Sequence, residues 1–270
     1  MNLQKNIGSQ AVLNNGLNMP MLGLGVWQMR EGAETENAVR WALDAGYRLI
    51  DSAKLYRNER SVGRAVRSSG IRREEIFVTT KLWPTDFGRV ERAFEGSLQR
   101  LDLEYIDLYL IHFPVAFIPG FASIRRRVWS TLEKLYARRL VRAIGVSNYD
   151  QSNIDETMSA ATIPPAVNQI RLNPFVYDRK LIQFCQSRGI AVEAYSPLTR
   201  ARRLNHPLIT RIAANHGRSP AQVLIRWALQ HGAIVIPKSS RREHIVENAR
   251  VFDFELGHDE AEALDQLSSR

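Results

Sequence analysis

The sequence has almost no cysteine and no long apolar run. Cys185 is the single cysteine among 270 residues, so an internal disulfide is excluded and a reducing compartment is expected. No window approaches the roughly 20 apolar residues of a membrane-spanning helix, and the first residues lack the basic start and apolar run of a secretory signal. We therefore expect a soluble, cytoplasmic, monomeric protein, with Cys185 buried on a helix face.

Lysine is also scarce, although the chain is basic. Lysine supplies six of the 37 basic residues, arginine supplies the rest, and the formal net charge is +9. The short arginine clusters are not interleaved with aromatic residues as a nucleic-acid-binding motif would be, so we expect no nucleic-acid partner. A basic rim attracts anionic ligands instead, such as phosphorylated cofactors or acidic substrates.

Metal-binding patterns are missing as well. The six histidines show no ligand spacing beside acidic residues, and no His-Glu-x-x-His motif occurs. We therefore expect no metal site. A barrel hydrolase or lyase, which would need metal ligands or paired carboxylates, is disfavoured.

The sequence does contain a regular alternation of short apolar runs with amphipathic stretches of helical length. Before it, apolar residues flank Asn15-Gly16, a dipeptide typical of hairpin turns, and predict an N-terminal β-hairpin. Eight strands are predicted, at 21–26, 47–51, 76–81, 106–112, 141–147, 166–170, 190–195 and 234–237. The helices between and after them are predicted at 34–45, 59–69, 90–101, 124–138, from 151, from 179, between 207 and 230, at 242–250 and near 259–267.

Eight repeats of strand and helix predict a parallel sheet closed into a (β/α)8 TIM barrel, an α/β fold of about 250 residues. The chain, residues 1–270, is then one domain with an N-terminal β-hairpin and a short C-terminal helix. An open, doubly wound sheet is the competing arrangement. It is disfavoured because Gly23-Leu-Gly25 is followed by Val26-Trp27-Gln28 and does not complete Gly-x-Gly-x-x-Gly.

Polar side chains lie at the ends of the predicted strands. They are Asp51, Lys81, His112, Ser147, Asn148, Asn168, Gln169, Tyr195, Ser196, Lys238 and Ser239. Because the carboxyl ends of barrel strands share one face, we expect these side chains to converge, and together they predict an active site there. Asp51 begins a loop that carries the phenol of Tyr56 and leads into a helix that Asn58 is placed to cap.

Seven motifs in this pattern point to one family. They are Asp51-Ser-Ala-Lys-Leu-Tyr-Arg-Asn-Glu59, Thr79-Thr-Lys-Leu-Trp83, Leu110-Ile-His-Phe-Pro114, Ile144-Gly-Val-Ser-Asn148, Val167-Asn-Gln169, Ala194-Tyr-Ser-Pro-Leu198 and Ile236-Pro-Lys-Ser239. In this order they extend over about residues 20–255. The chain resembles the aldo-keto reductases, of the small prokaryotic type similar to the 2,5-diketo-D-gluconate and methylglyoxal reductases. The resemblance implies an NADPH-dependent enzyme that reduces aldehydes and ketones to alcohols.

The resemblance also implies roles for four residues. Tyr56 is the proton donor, Lys81 and Asp51 support it electrostatically, and His112 orients the substrate carbonyl. A free phenol, with a pKa near 10, is a poor acid at neutral pH, and we expect the Lys81 ammonium to lower the pKa of Tyr56 toward the working pH. Hydride reaching a carbonyl carbon makes an alkoxide, which needs a proton and a hydrogen-bond donor; Tyr56 and His112 can supply both. The hydride would come from a nicotinamide cofactor.

The resemblance implies further contacts with the cofactor and substrate. Tyr195 would stack on the nicotinamide, and the loop from Ser196 to Leu198 would cover the pyrophosphate. The residues that bind the carboxamide of the nicotinamide would be Ser147, Asn148 and Gln169. The residues that hold the adenosine end of the cofactor would be Lys238, Ser239, Ser240, Arg241, His244, Glu247 and Asn248. Of these, Glu247 and Asn248 would contact the adenine. The substrate pocket would be formed by Trp27, Tyr56, Trp83, His112 and Phe113.

The sequence departs from the family pattern at a few positions. His244 stands where an arginine usually pairs with Lys238 on the 2′-phosphate, and a neutral histidine offers one hydrogen bond in place of a charged fork. We expect a preference for NADPH with more tolerance of NADH than in a typical relative. Phe113 replaces a frequent tryptophan and removes an indole N–H. The last predicted helix is followed closely by Arg270, so we expect an open, permissive pocket.

One alternative function remains open at the level of sequence. A resemblance to potassium-channel β subunits would suggest a nicotinamide-binding sensor or regulatory subunit on the same barrel, and a fold alone does not exclude it. The complete set of Asp51, Tyr56, Lys81 and His112 favours the reductase.

Overall fold

A short antiparallel hairpin precedes the main sheet. We describe a computed structural model of the chain, which covers residues 6–115 and 121–269. Strands β1 (Gln10–Val12) and β2 (Asn18–Pro20) pair antiparallel. The turn between them closes with a 2.9 Å hydrogen bond from the Gly16 amide to the Leu13 carbonyl, and Gly16 has a φ of 81°, a left-handed conformation that glycine adopts without strain. The predicted N-terminal hairpin is confirmed.

Eight parallel strands form the barrel. They are β3 (Leu24–Gly25), β4 (Leu49–Asp51), β5 (Phe77–Leu82), β6 (Ile106–Ile111), β7 (Val141–Ser147), β8 (Val167–Arg171), β9 (Ala191–Tyr195) and β10 (Ile234–Val235). Neighbours in sequence are neighbours in the sheet. The two outer strands meet through a parallel bridge between Leu22 and Val235, with hydrogen bonds of 2.8 and 2.9 Å on either side of Val235. The predicted (β/α)8 barrel is confirmed.

Helices surround the strands. They are α1 (Ala33–Asp44), α2 (Glu59–Arg67), α3 (Val90–Leu101), α4 (Phe121–Ala137), α5 (Gln151–Met158), α6 (Arg179–Ser187), α7 (Pro207–His216), α8 (Pro220–Gln230), α9 (Arg242–Asn248) and α10 (His258–Asp265). Within the described part of the chain, no helix is both long enough and apolar enough to cross a membrane. Cys185 is fully buried on α6, as predicted.

The strand bounds differ from prediction mainly at the seam of the barrel. The first strand was predicted over 21–26, but regular pairing covers β3 alone, because Leu22 contributes only the closing bridge. The last strand was predicted to reach Pro237 and ends at Val235. Proline has no backbone N–H to extend the ladder. At the centre of the sheet, β7 has the predicted bounds and every residue of β5 and β6 is buried.

Candidate active site

A cavity of about 740 Å³ opens at the carboxyl ends of the barrel strands. This volume is typical of a site for a small molecule or cofactor. Most of the side chains predicted for the site line it: Trp27, Asp51, Tyr56, His112, Phe113, Ser147, Asn148, Gln169, Tyr195, Ser196, Leu198, Lys238, Ser239, His244, Glu247 and Asn248. Residues from seven of the eight strand ends and the loops after them therefore converge, as the barrel topology requires, and the end of β5 contributes none to the lining.

Four of the residues predicted to act in catalysis or to contact cofactor or substrate do not line the cavity, and neither does the strand-end residue Asn168, whose side-chain amide donates to the Tyr149 carbonyl at 3.0 Å. Lys81 is completely buried beneath the floor, where it contacts the floor residues. Trp83 lies behind His112, with its ring centroid 5.1 Å from the imidazole in an edge-on arrangement. Ser240 and Arg241 lie outside the lining of the cavity. The amide of Arg241 instead donates to the Ser239 hydroxyl at 3.2 Å, so this pair shapes the turn before α9.

The Lys81 ammonium group is the centre of a buried polar cluster. Its Nζ lies 2.7 and 2.8 Å from the two oxygens of Asp51 and 2.8 Å from the Ser52 carbonyl. The phenol oxygen of Tyr56 is farther away, at 3.4 Å. Both members of the ion pair are buried, and burial makes their attraction strong. The cluster places a positive charge directly under the Tyr56 hydroxyl.

Burial dominates the acidity of Tyr56. The pKa of Tyr56 is raised to about 12, because burial disfavours the phenolate more strongly than the Lys81 ammonium stabilises it, and the Asp51 carboxylate opposes the ammonium. Lys81 lowers the pKa of Tyr56 as expected, but burial outweighs this effect, so the net shift is upward and away from the working pH. Tyr56 is a phenol at neutral pH, and a phenol is the form that can donate a proton.

Ion pairs hold the turn that carries Tyr56. A single 3₁₀ turn, Lys54–Tyr56, follows β4. Lys54 forms an ion pair with the buried Asp86 in the loop after β5, and Asp86 also accepts a 3.0 Å hydrogen bond from Arg89. These two cations hold the pKa of Asp86 below its ordinary value, against the effect of burial, which raises it. The Asp86 carboxylate thus ties the turn to the next strand of the barrel.

Asn58 stabilises the site differently from the sequence prediction. It precedes α2 as predicted, but its side chain does not cap the helix. Its amide nitrogen donates to the carbonyls of Val26 and Met29 at 2.9 and 3.1 Å, and its oxygen accepts from Ser52 at 3.0 Å. Buried carbonyls in the loop after β3 need a donor, and Asn58 is the nearest one. It therefore joins the loop of Trp27 to the loop of Tyr56.

His112 is neutral and faces the phenol. Its ring centroid lies 5.8 Å from that of Tyr56. Burial and the Lys81 charge lower the pKa of His112 to about 3, so the imidazole carries no charge at neutral pH. Its Nδ1 atom is buried and has no hydrogen-bond partner among the residues that the structure describes. A neutral imidazole can orient a carbonyl oxygen without adding a charge to the site.

A chain of hydrogen bonds orients the side chains after β7. The Tyr195 hydroxyl donates to Asn148 Oδ1 at 2.8 Å, and Asn148 Nδ2 donates to the His112 carbonyl at 3.0 Å. The Ser147 hydroxyl donates to the Gln169 carbonyl at 2.9 Å. Asn148 has a φ of 63°, a left-handed conformation that asparagine tolerates better than most residues. The predicted carboxamide-binding residues are thus held in one fixed arrangement.

Two charged residues at the site were not predicted individually. Glu193, on β9, is fully buried and accepts a 2.7 Å hydrogen bond from Gln169 Nε2. A carboxylate in the middle of the apolar run 190–195 was the available signal. Arg200, known in the sequence only as part of an arginine cluster, lines the cavity and stacks over Trp27, with its guanidinium carbon 4.5 Å from the ring centroid.

No metal-binding cluster accompanies this site. Across residues 6–115 and 121–269, no group of three or more histidine, cysteine, aspartate or glutamate side chains is arranged to hold a metal ion. The polar groups that line the cavity are instead phenols, imidazoles, amides, carboxylates, an ammonium and a guanidinium. This set suits proton transfer and binding of a polar organic molecule.

Comparison with known proteins identifies the class. The family described as the aldo/keto reductase family matches residues 21–269. The 9,11-endoperoxide prostaglandin H2 reductase of Trypanosoma cruzi is 48% identical over 95% of this chain and 90% of that protein. The glyoxal reductase of Bacillus subtilis is 43% identical over 95% of this chain and 91% of that protein.

Solved structures agree. An aldo/keto reductase from Brucella melitensis superposes with a TM-score of 0.91 and 39% identity, covering 99% of each chain. The aldose reductase of Schistosoma japonicum superposes with a TM-score of 0.90 and 37% identity, covering 97% of this chain and 93% of that one. Barrel, cavity and similarity define an NAD(P)H-dependent oxidoreductase. The chain belongs to the aldo/keto reductase family.

Proposed function

We propose that this protein reduces aldehydes and ketones to alcohols with NADPH, and that Tyr56 donates the proton. The observation that carries the proposal is the Tyr56 phenol on the cavity floor, 3.4 Å from the buried Lys81 ammonium. When bound, the nicotinamide supplies the hydride. The protein must then protonate and stabilise the alkoxide that forms.

The residues of the floor divide these tasks. Tyr56, a phenol at neutral pH, protonates the developing alkoxide as a general acid. The Lys81 ammonium stabilises the phenolate that remains, and Asp51 keeps the ammonium charged, with the pKa of Lys81 raised to about 12 by its carboxylate and the phenol despite burial. His112 donates a hydrogen bond to the carbonyl oxygen. Preorganised groups of this kind stabilise charge without reorganising during the reaction.

The cavity fits a dinucleotide. Its lining includes Tyr56, Tyr195, Lys238 and Asn248. Asn248 is 2% exposed, and its side-chain oxygen has no partner among the described residues. An unpaired buried acceptor in the lining of the cavity suits the exocyclic amino group of adenine, because a buried acceptor without a partner is costly. Lys238 would pair with the 2′-phosphate, which supports NADPH as the preferred cofactor.

A panel of substrates tests the proposed function. We would follow nicotinamide oxidation with aldehydes, α-dicarbonyls, keto esters and keto-sugar acids, with NADPH and with NADH. The glyoxal reductase among the relatives makes α-dicarbonyls the first class to try. We expect turnover with at least one class, and faster with NADPH. Cofactor binding without turnover of any compound would contradict the proposal and favour a nicotinamide-binding sensor.

We also propose that the chain acts as a single-domain monomer in the cytoplasm. The continuous barrel and the single, buried cysteine support this. Light scattering measures the mass in solution. We expect a value near the 30.8 kDa of one chain, and a value near twice that mass would contradict the monomer.

A further inference from the structure

The interior of the barrel beneath Tyr56 holds two carboxyl groups and one ammonium group. The second carboxyl belongs to Glu193, which is 0% exposed. The side-chain nitrogen of Gln169 lies 2.8 Å from Asp51 Oδ2 and 2.7 Å from Glu193 Oε2. One amide group, with two N–H donors, therefore bridges the two carboxyls. A continuous set of contacts runs from Tyr56 through Lys81, Asp51 and Gln169 to Glu193.

The two carboxyls have unequal partners. Asp51 receives two contacts from the Lys81 ammonium in addition to the one from Gln169. Glu193 accepts only from Gln169 among the described residues, and its Oε1 atom has no partner among them. A buried carboxylate with an unpaired oxygen is far more costly than the neutral acid in the same place. With one ammonium for two carboxyls, the proton belongs on Glu193.

We propose that Glu193 is a positioning residue for the reaction proposed above: as a neutral acid it holds Gln169 against Asp51, and once ionised its charge keeps the Tyr56 phenol protonated. Glu193 acts through Gln169 and Asp51 and donates no proton to the substrate. The proposal rests on the proposed function only for the role of Tyr56.

The charges that face Glu193 set the pH at which it ionises. Burial and the neighbouring Asp51 raise the pKa of Glu193 to about 8, and Gln169 and Lys81 oppose them. In turn, the Glu193 charge raises the pKa of both Tyr56 and Lys81. Oxidation of an alcohol needs the Tyr56 phenolate as base, so ionised Glu193 slows oxidation at alkaline pH. Reduction uses the phenol and is little affected.

Infrared spectroscopy tests the protonation directly. The full chain in D₂O, titrated from about pH 6 to about pH 10, should show a protonated-carboxyl band that disappears with a midpoint near 8. Glu193→Gln, which keeps an acceptor oxygen for Gln169, should lack that band. Glu193→Met, which has a similar volume, serves the same purpose if the first variant does not fold.

A second buried glutamate gives the matched control. Glu59 is 1% exposed, and its oxygens are paired with Arg100 at 2.7 Å and Thr80 at 2.6 Å. Glu59→Gln should leave the band in place. The proposal is overturned if the wild type has no protonated-carboxyl band at neutral pH, if the band persists in Glu193→Gln, or if it is lost only in Asp51→Asn.

Kinetics test the effect on Tyr56. We expect kcat/KM for oxidation of the alcohol product to be similar in wild type and Glu193→Gln near pH 6. Near pH 9 the variant should be about three- to tenfold faster, the effect of one buried charge on a phenol some distance away. For carbonyl reduction, the ratio of kcat/KM between the variant and the wild type should not change with pH. If the ratio of kcat/KM for oxidation between Glu193→Gln and wild type does not change with pH, the positioning role of Glu193 is overturned. Absence of all turnover would instead contradict the proposed function, and the infrared titration alone would then decide whether Glu193 is protonated.

Discussion

Lys81 shows how far the chemistry of one residue depends on its neighbours. Three oxygen atoms lie within 2.8 Å of its ammonium nitrogen. Two belong to the charged carboxylate of Asp51, and the third is the uncharged backbone carbonyl of Ser52. The pair is buried in the barrel interior, so removing either partner leaves an uncompensated charge there. Stability and catalysis both depend on this pair, and variants can separate the two contributions.

Replacement of Lys81 by methionine should lower stability and activity together. Among the described residues, the buried Asp51 carboxylate then keeps only Gln169 as a donor, and breaking such a pair costs about 3–5 kcal/mol. We expect that loss in the free energy of unfolding, measured by urea denaturation. We also expect a fall in kcat of at least about a hundredfold, because the phenolate loses its counter-charge.

The double variant Lys81→Met/Asp51→Asn is the control. It contains no unpaired charge, so most of the lost stability should return while kcat stays low. A double variant as unstable as Lys81→Met would contradict the electrostatic explanation. Recovery of kcat along with stability would contradict the role of Lys81 beside Tyr56.

We expect His244 to influence the choice between NADPH and NADH. It is exposed at the edge of the cavity near Lys238. His244→Arg would add a charged fork for the 2′-phosphate and should raise the kcat/KM ratio of NADPH to NADH by about tenfold, the worth of one charge-assisted contact. An unchanged ratio would contradict this role for His244, and a changed kcat with a constant ratio would point to an unrelated effect.

The sequence predicted which side chains meet at the cavity better than it predicted their acidity. Asp51, Tyr56 and His112 were placed correctly because the barrel topology fixes which strand ends meet. The pKa direction of Tyr56 was wrong, because the sequence shows that Lys81 is near but not how deeply the phenol is buried. Glu193 went unnoticed, since a single acid in an apolar strand is visible while its partners across the barrel are not.

Elements approach closely at a few backbone positions, and these positions decide how the loops are held. Helix α2, which follows Tyr56, packs against the end of α3 at Gly63. A Cβ atom added to Gly63 would lie 1.8 Å from the Leu101 carbonyl oxygen, which also accepts a 2.7 Å hydrogen bond from Arg67. Contact at this distance leaves no room for any side chain. The hydrogen bonds of Asn58 and the ion pair between Lys54 and Asp86 hold the loop that carries Tyr56.

Gly63→Ala tests this packing. The two helices must separate, so we expect a loss of about 1–3 kcal/mol or more in the free energy of unfolding and a lower Tm. Gly88→Ala is the matched control, because a Cβ there meets nothing within 4 Å. Its Tm should stay close to the wild type. A Gly63→Ala variant as stable as Gly88→Ala would contradict the close approach of α2 and α3.

Asn58 marks the limit of prediction at the scale of elements. Its position before α2 was predicted correctly, since helix starts favour asparagine. Its partners were not, because a capping bond is local in sequence while the carbonyls of Val26 and Met29 lie about one strand away in the fold. Local preference yielded here to a tertiary contact. The strand bounds at the barrel seam differ for the same reason, since Leu22 meets its partner only when the sheet closes.

The whole molecule was the easiest level to predict. Eight alternations of strand and helix leave few topologies, and right-handed crossovers then place every strand end on one face. That face gathers a phenol, an ammonium, a carboxylate and an imidazole around one cavity. The central claim is that this arrangement makes Tyr56 the proton donor in carbonyl reduction.

Tyr56→Phe tests that claim most directly, with Tyr149→Phe as its control. Tyr149 is buried, and its hydroxyl has no hydrogen-bond partner among the described residues. Tyr149→Phe therefore removes a buried phenol hydroxyl to which the account assigns no catalytic role. We would measure kcat/KM for the best carbonyl substrate and the Kd of NADPH by fluorescence. The account predicts a fall in kcat/KM of at least about a hundredfold in Tyr56→Phe alone, with Kd unchanged. Full activity in Tyr56→Phe, or an equal loss in Tyr149→Phe, would contradict it.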